Sequence, residues 1–187
     1  LHPRVRRQRQ MCIRDRTKNN MKDNANERLP LVDENGQQIG VATRGYCHCG
    51  SKALHPVVHL HVFNAQGELF LQHRPAWKDI QPDRWDTAVG GHIDLGEDVE
   101  TALRREAREE LGLTDFQAEF LGRYTNNSDR ERELVHVFRT ITDVVPQPTA
   151  ELDGGRFFSR TEILSRLQTQ FFTPNFEAEW LRLFGNE

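Results

Sequence analysis

The chain has 187 residues, with 28 Asp and Glu against 25 Lys and Arg, a formal net charge of −3 and three cysteines. That length suits one domain with a real core and leaves little room for two, and no apolar run approaches the roughly 18 residues that a membrane span needs. Cys12, Cys47 and Cys49 form no disulfide framework, so a reducing cytoplasm is the expected compartment and free thiols the expected state.

Charge is spread unevenly. Residues 1–20 carry seven Arg or Lys and one Asp, and the remainder holds 18 positive and 27 negative side chains. An acidic body of this kind disfavours a nucleic-acid strand as a partner. The basic head, LHPRVRRQRQMCIRDRTKNN, has neither helical nor strand periodicity and lacks the apolar core of a secretory signal. Its MCIRDR segment resembles translated sequencing-adaptor sequence, which makes Met21 the expected natural start. Residues 1–28 are read as a disordered or artefactual segment, and 29–187 as a single domain.

From Leu31 the pattern becomes regular. LVDENGQQIGVATR predicts a hairpin closed by Asn35-Gly36, a strong two-residue turn signal. PVVHLHVF (56–63) alternates and is rich in β-branched residues, and Asn64 to Gly67 turn it into a second strand, ELFLQHR. A loop with Pro75, Lys78 and Pro82 follows, and WDTAVGGH leads into a helix. FQAEFLGRY and ELVHVFRTITDVV are predicted strands separated by the polar loop TNNSDRER. SRTEILSRL opens with Ser and Thr ahead of Glu, a helix-capping pattern, with Ile163, Leu164 and Leu167 at helical spacing. FEAEWLRLF, after Pro174, is the predicted closing helix. Interleaved strands and helices with no repeat indicate an α/β or α+β domain.

The densest chemistry lies in GHIDLGEDVETALRREAREELGL, residues 91–113. Glu106, Glu109 and Glu110 fall at i, i+3 and i+4, which places three carboxylates on one helix face. Like charges so close call for a cation, and a hard divalent ion such as Mg2+ takes oxygen ligands while keeping sites for water and phosphate. A solvated Glu/Arg face is the plainer alternative, but three features argue against it. Leu103, Ala107 and Leu111 form an apolar stripe beside the acidic face, so the helix can dock with its carboxylates in a cleft. Gly112 stands where a left-handed cap is wanted, and the Gly90-Gly91 pair lets backbone approach a ligand.

Gly91, Glu97, Arg105, Glu106, Glu109, Glu110, Gly112 and Leu113 resemble the Nudix box, Gly-x5-Glu-x7-Arg-Glu-(apolar)-x-Glu-Glu-x-Gly-(apolar), with Ala107 smaller than the usual apolar residue. The resemblance implies an α/β/α sandwich with a mixed central sheet. It also implies Mg2+ or Mn2+ as cofactor, held by Glu106, Glu109, Glu110 and the Gly91 carbonyl. Arg105 would orient Glu106, and Glu97 would brace the loop-helix junction. The expected reaction is attack of water on the diphosphate of a small molecule such as a nucleoside-diphosphate-X, with Glu106, Glu109 or Glu131 as general base.

Beyond the box, roughly residues 31–145 are similar to the isopentenyl-diphosphate isomerase branch of the same superfamily. His48, His55, His92, Glu131 and Glu133 fall where that branch binds metal, which implies a second, transition-metal site; imidazole with carboxylate suits Mn, Zn or Fe. Arg74 and Lys78 fall at its diphosphate-binding cations. His59, His61, His73 and His136 are read as satisfied structural residues. One departure separates isomerase from hydrolase: the branch carries a cysteine before its Gly-His, and here Gly90 takes that place, while the box is complete. Hydrolase is therefore the first expectation, isomerase-like activity on prenyl diphosphates the second, and a nucleotide-binding sensor the third. Trp77 and Trp85 are expected to cap the core rather than stack on a base. No membrane partner is expected, and a homodimer is compatible with the sequence without being indicated by it.

Overall fold

The computed structural model describes residues 24–185; Cys12, Met21 and the basic head lie outside them. Two strands open the described chain, β1 (Arg28–Val32) and β2 (Gln38–Thr43), paired antiparallel. The expected hairpin is present, but its connection is longer than an Asn-Gly turn. Asp33 Oδ1 accepts from the amides of Asn35 and Gln37 at 2.9 and 2.8 Å, and Gly36 takes the left-handed φ of 83° that closes the loop. A bulge between Leu31 and Val32 absorbs the mismatch in register.

A one-turn helix, α1 (Arg44–Cys47), follows, capped by Thr43. The main sheet then forms from β3 (Leu54–Phe63), β4 (Leu69–His73), β5 (Trp85–Thr87), β6 (Val89–His92), β7 (Glu119–Asn127), β8 (Arg132–Ile141) and β9 (Gly155–Phe158). Its path runs β5-β4-β3-β8-β7, with β6 added to β3 and β9 to β4. The sheet is mixed: β3 and β8 run parallel from Leu54↔Arg132 to Phe63↔Ile141, and the other pairs are antiparallel.

The alternation of β3 builds two layers. Val58, Leu60 and Val62 pack with Leu103, Ala107 and Leu111 of the box helix α2 (Val99–Leu111). On the opposite face, Leu69, Leu71 and Phe158 meet Ile163 of α3 (Arg160–Arg166) and Phe176, Trp180 and Phe184 of α4 (Pro174–Phe184). The fold is thus α+β, a mixed sheet between helical layers. Asp98 caps α2, accepting from the Thr101 amide at 2.8 Å, and Gly112 ends it at φ 63°.

Several boundaries differ from the sequence reading. Much of TNNSDRER belongs to strands, because Asn126 and Asn127 pair with Glu133 and Arg132. Only residues 128–131 remain as a tight turn, and Ser128 Oγ accepts from the amides of Arg130 and Glu131. WDTAVGGH is two short strands rather than a lead-in. Leu164 is 48% exposed, so the buried stripe of α3 rests on Ile163. Strand β9 and helix α1 went unpredicted, since four residues are too few to show a period.

Candidate metal and diphosphate site

The box helix delivers its polar residues to the end of β6. Arg105 is the hub. Its Nε and Nη2 fork onto Glu97 at 2.9 and 2.8 Å, Nη2 also donates to the His92 carbonyl at 2.9 Å, and Nη1 holds Glu106 Oε1 at 2.7 Å. Glu97 accepts from the Asp94 amide as well, at 3.1 Å, so loop and helix are tied by one bidentate pair. Gly91 lets the Glu106 carboxylate lie against β6: a Cβ there would stand 2.0 Å from Cδ of Glu106 and displace it.

The three box glutamates occupy unequal surroundings. Glu110 is buried, accepting from the Gly90 amide at 3.1 Å and Gln72 Nε2 at 3.3 Å. Burial, then the neighbouring Glu106 charge, push its carboxyl up to about 8. Burial likewise raises Glu106 to about 7, against the pull of Arg105. Glu109 is 40% exposed and borders Arg105 and Arg108. Crowded, desolvated carboxylates of this kind gain from a cation.

The tightest convergence of ligand atoms lies elsewhere. Among the described residues two groups of three have their ligand atoms within 4.8 Å of one another: His48, His55 and His92, and His55, Glu131 and Glu133. They share His55, so all five residues singled out in the sequence meet in one place. The three imidazoles lie 5.1 to 5.5 Å apart between ring centres. Elements distant in sequence supply them: α1's cap, the start of β3, the end of β6, and the turn into β8.

The donor set fits a cation at four of five positions. His55 Nδ1 bonds the Ala53 carbonyl at 3.0 Å, and a carbonyl only accepts, so the proton sits there. Its Nε2 is left buried without a partner, a lone pair aimed into the cluster. His48 Nε2 lies 3.5 Å from Glu131, whose carboxyl rises to about 8 through burial and then the adjacent Glu133. His92 is the exception. Arg44 Nη1 stands 3.1 Å from its Nδ1 and can only donate, which puts the proton of a neutral ring on Nε2, 3.1 Å from His48 Nε2. Ligation through Nε2 therefore requires Arg44 to move or the ring to lose that proton.

Two cavities meet at Arg44 and Arg74. One, of about 380 Å³, is lined by Glu106, Glu109, Glu110, Gly90, Gly91 and Lys78 among others. The second, of about 490 Å³, is bordered by His48, Glu131, Asn126 and the start of α4. Lys78 faces the first cavity as expected, its ammonium 4.9 Å from the Trp77 ring. Arg74 lies at the junction, but it also organises the loop after β4. Its Nε and Nη2 donate to the Ile80 and Gln81 carbonyls and its Nη1 to Asp86 at 3.1 Å, leaving only part of the guanidinium for a ligand.

Trp85 packs in the α4-side core as expected, whereas Trp77 lines the cleft. Cys47 is buried and Cys49 exposed, both as free thiols. His59 and His61 are both partnered by Glu179 of α4, at 2.9 and 2.7 Å, but His61 is only half satisfied, since its Nδ1 is buried without a hydrogen-bond partner. Sequence reasoning missed Arg44, Gln72 and Glu179. Each is a single polar residue in an element without a motif: the fold brings Arg44 to both cavities, Gln72 beneath Glu110, and Glu179 against His59 and His61.

This architecture is that of the Nudix family, to which the chain belongs: the NUDIX domain model matches residues 53–183. Within it, the chain is similar to isopentenyl-diphosphate Delta-isomerase 1 of Photorhabdus laumondii, 28% identical over 169 residues and covering 86% of this chain and 96% of that one. It is also similar to an uncharacterised Nudix hydrolase of Streptomyces coelicolor, 31% identical over 163 residues, covering 85% and 89%. Among solved structures, a Deinococcus radiodurans protein superposes with a TM-score of 0.74 at 25% identity, covering 84% of this chain and 99% of that one. The MutT protein of Methanosarcina mazei, at 19% identity and a TM-score of 0.62 over 71% and 94% of the two chains, shares the fold.

Proposed function

We propose that residues 29–187 form one Nudix hydrolase domain that cleaves a diphosphate linkage in a nucleoside-diphosphate-X or related organic pyrophosphate. Mg2+ or Mn2+ would be held by Glu106, Glu109, Glu110 and the Gly91 carbonyl. The observation that carries this reading is the unbroken Glu97–Arg105–Glu106 clamp over Gly91, beside a β6 that offers no thiol at Gly90. A divalent cation bound there supplies positive charge against the phosphoryl oxygens and acidifies a water. The protein's own residues do the rest. Lys78 and the remaining donors of Arg74 hold the diphosphate, and Arg105 fixes Glu106 in one rotamer. Water attacks phosphorus, the bridging P–O bond breaks, the departing phosphate takes its electron pair, and a cleft carboxylate accepts the water's proton. Glu106, Glu109 and Glu131 are the candidates for that role.

The second reading, an isomerase-like enzyme on prenyl diphosphates, is favoured by the convergence of His48, His55, Glu131 and Glu133 and by the named isomerase relatives. It predicts proton exchange into isopentenyl diphosphate with no phosphate release. Gly90 counts against it, since it brings no acid or base to carbon. Among the described residues no helix is long and apolar enough to cross a membrane, and two free thiols accord with the cytoplasmic setting we assign. The test is a panel of diphosphate compounds assayed with Mg2+ and with Mn2+. Metal-dependent release of phosphate-bearing products from at least one of them supports hydrolysis; turnover equal to wild type in both Glu109→Gln and Glu110→Gln would overturn the assignment.

A further inference from the structure

Strand β3 changes partner along one edge. Val62 and Phe63 pair with Phe70 and Leu69 of β4, whereas Val57 to Leu60 pair with His92 to Val89 of β6. Beyond Phe70, β4 turns to β5 instead. The sheet divides there, and Glu110 of α2 takes a donor from each side of the divide. Gln72 Nε2 of β4 and the Gly90 amide of β6 both donate to its Oε2, at 3.3 and 3.1 Å.

Sheet alternation puts Gln72 on the α2 face. Phe70, two residues earlier, packs in the cluster of Leu103, Ala107 and Leu111, while Leu69 and Leu71 face α3 and α4. Gln72 is buried, so its amide has left water and calls for a partner inside the protein. A carboxylate only accepts, which turns the nitrogen of that amide toward Glu110. Oε1 of Glu110 takes no hydrogen bond among the described residues, and Glu110 lines the cavity that also holds Glu106, Glu109 and Lys78. One oxygen is thus pinned to the sheet by two donors, and its twin is left for the cleft. Sealing the divide between β4 and β6 accounts for a polar contact, but not for two donors on the same oxygen.

We infer that Gln72 is a positioning residue for the box: with the Gly90 amide it holds Oε2 of Glu110 against the sheet and presents Oε1 as the oxygen that meets the cation. This rests on the hydrolase reading for the cation at the glutamates. It adds a sheet residue outside the motif that orients Glu110, as Arg105 orients Glu106 from within the helix. Hydrogen-bond partners of metal-binding carboxylates alter metal affinity by roughly 10–100-fold.

The probe is Mn2+ alone, titrated into wild type, Gln72→Met, Glu110→Gln and the double variant, with free ion counted by electron paramagnetic resonance. Methionine matches glutamine in length and suits a buried site, so Gln72→Met removes the donor without opening a cavity. We expect Gln72→Met to bind Mn2+ at least about tenfold more weakly. That loss should vanish in the Glu110→Gln background, because the amide acts only through this carboxylate. A second measurement needs no variant: in wild type carrying 15N-labelled glutamine, saturating Mg2+ should shift the Gln72 side-chain amide resonance. Wild-type affinity in Gln72→Met beside weakened binding in Glu110→Gln, an equal loss in both backgrounds, or an unmoved Gln72 resonance would overturn the positioning role and leave the metal assignment standing. Wild-type affinity in Glu110→Gln would overturn both. If Gln72→Met weakens Mn2+ binding as expected but no diphosphate is hydrolysed, the positioning role stands and the hydrolase reading falls.

Discussion

At the scale of single residues, the box motif named the side chains expected to hold a cation but not how differently they would be housed. Glu106, Glu109 and Glu110 share a helix face by spacing alone, yet Glu110 is buried under Gly90 and Glu109 stays half open. The glycine is equally informative. Its place in the motif was legible, whereas the reason, a Cβ 2.0 Å from the Glu106 carboxyl carbon, needed the packed sheet and helix. Gly91→Ala should therefore displace Glu106 and cut turnover by roughly 100-fold or more, an effect comparable to losing one transition-state contact. Steady-state kinetics at saturating Mg2+ checks this, and a kcat within twofold of wild type would refute it. Arg74 shows where a resemblance carries less: its donors mostly serve the 80–81 carbonyls, a commitment that no residue type reveals. Arg74→Lys should accordingly loosen the loop as well as weaken binding, seen as faster amide exchange across residues 75–84.

At the scale of elements, long periodic segments were readable and short ones were not. The box helix announced itself through Leu103, Ala107 and Leu111, all buried in the core, and its C-terminus through Gly112. Its N-cap, Asp98, is one of several acidic residues in GEDVE and became distinct only through its bond to the Thr101 amide. Asp98→Ala should cost about 1 kcal/mol of stability, and Leu103→Ala about 2–5 kcal/mol, both read from denaturant midpoints. Helix α4 contributes an unexpected polar lock, since Glu179 looks on sequence like a solvated residue in an amphipathic run. The lock has a pH signature. His59 rises from 6.5 to about 9 on folding, so its stabilisation is complete below about 6.5 and fades as pH climbs through about 9. Glu179 is held well below 4.5, chiefly by the His59 charge acting against its own burial. Its contribution is present above about 4.5 and is lost as pH falls below that value. Stability from this pair should thus peak near pH 5 to 6, and Glu179→Gln should flatten the alkaline limb of the stability profile. Equal alkaline slopes in wild type and variant would contradict it.

For the whole molecule, the α+β class, the mixed sheet and the helical layers followed from pattern and from the box, while strand order did not. The parallel β3–β8 pair joins segments some 80 residues apart, and period-2 alternation says nothing about which strands become neighbours. That pair matters for function because it sets His55 beside Glu133, and with α1 and β6 it assembles a five-residue cluster from four separate elements. The cluster was visible beforehand only through resemblance. His92 lines the cavity of the box glutamates, His48 and Glu131 line the neighbouring one, and Arg44 and Arg74 border both. The hydrolase we propose transfers a phosphoryl group to water, the second reading moves a proton at carbon, and Gly90 is the residue on which we base the choice of water. The decisive measurement follows the oxygen. Purified protein with Mg2+ in 18O-enriched water, given a nucleoside-diphosphate-sugar and isopentenyl diphosphate in parallel, is analysed by phosphorus NMR and by mass spectrometry. The account predicts 18O in a released phosphate product and no hydrogen exchange at carbon. Deuterium uptake into isopentenyl diphosphate without phosphate release would contradict it.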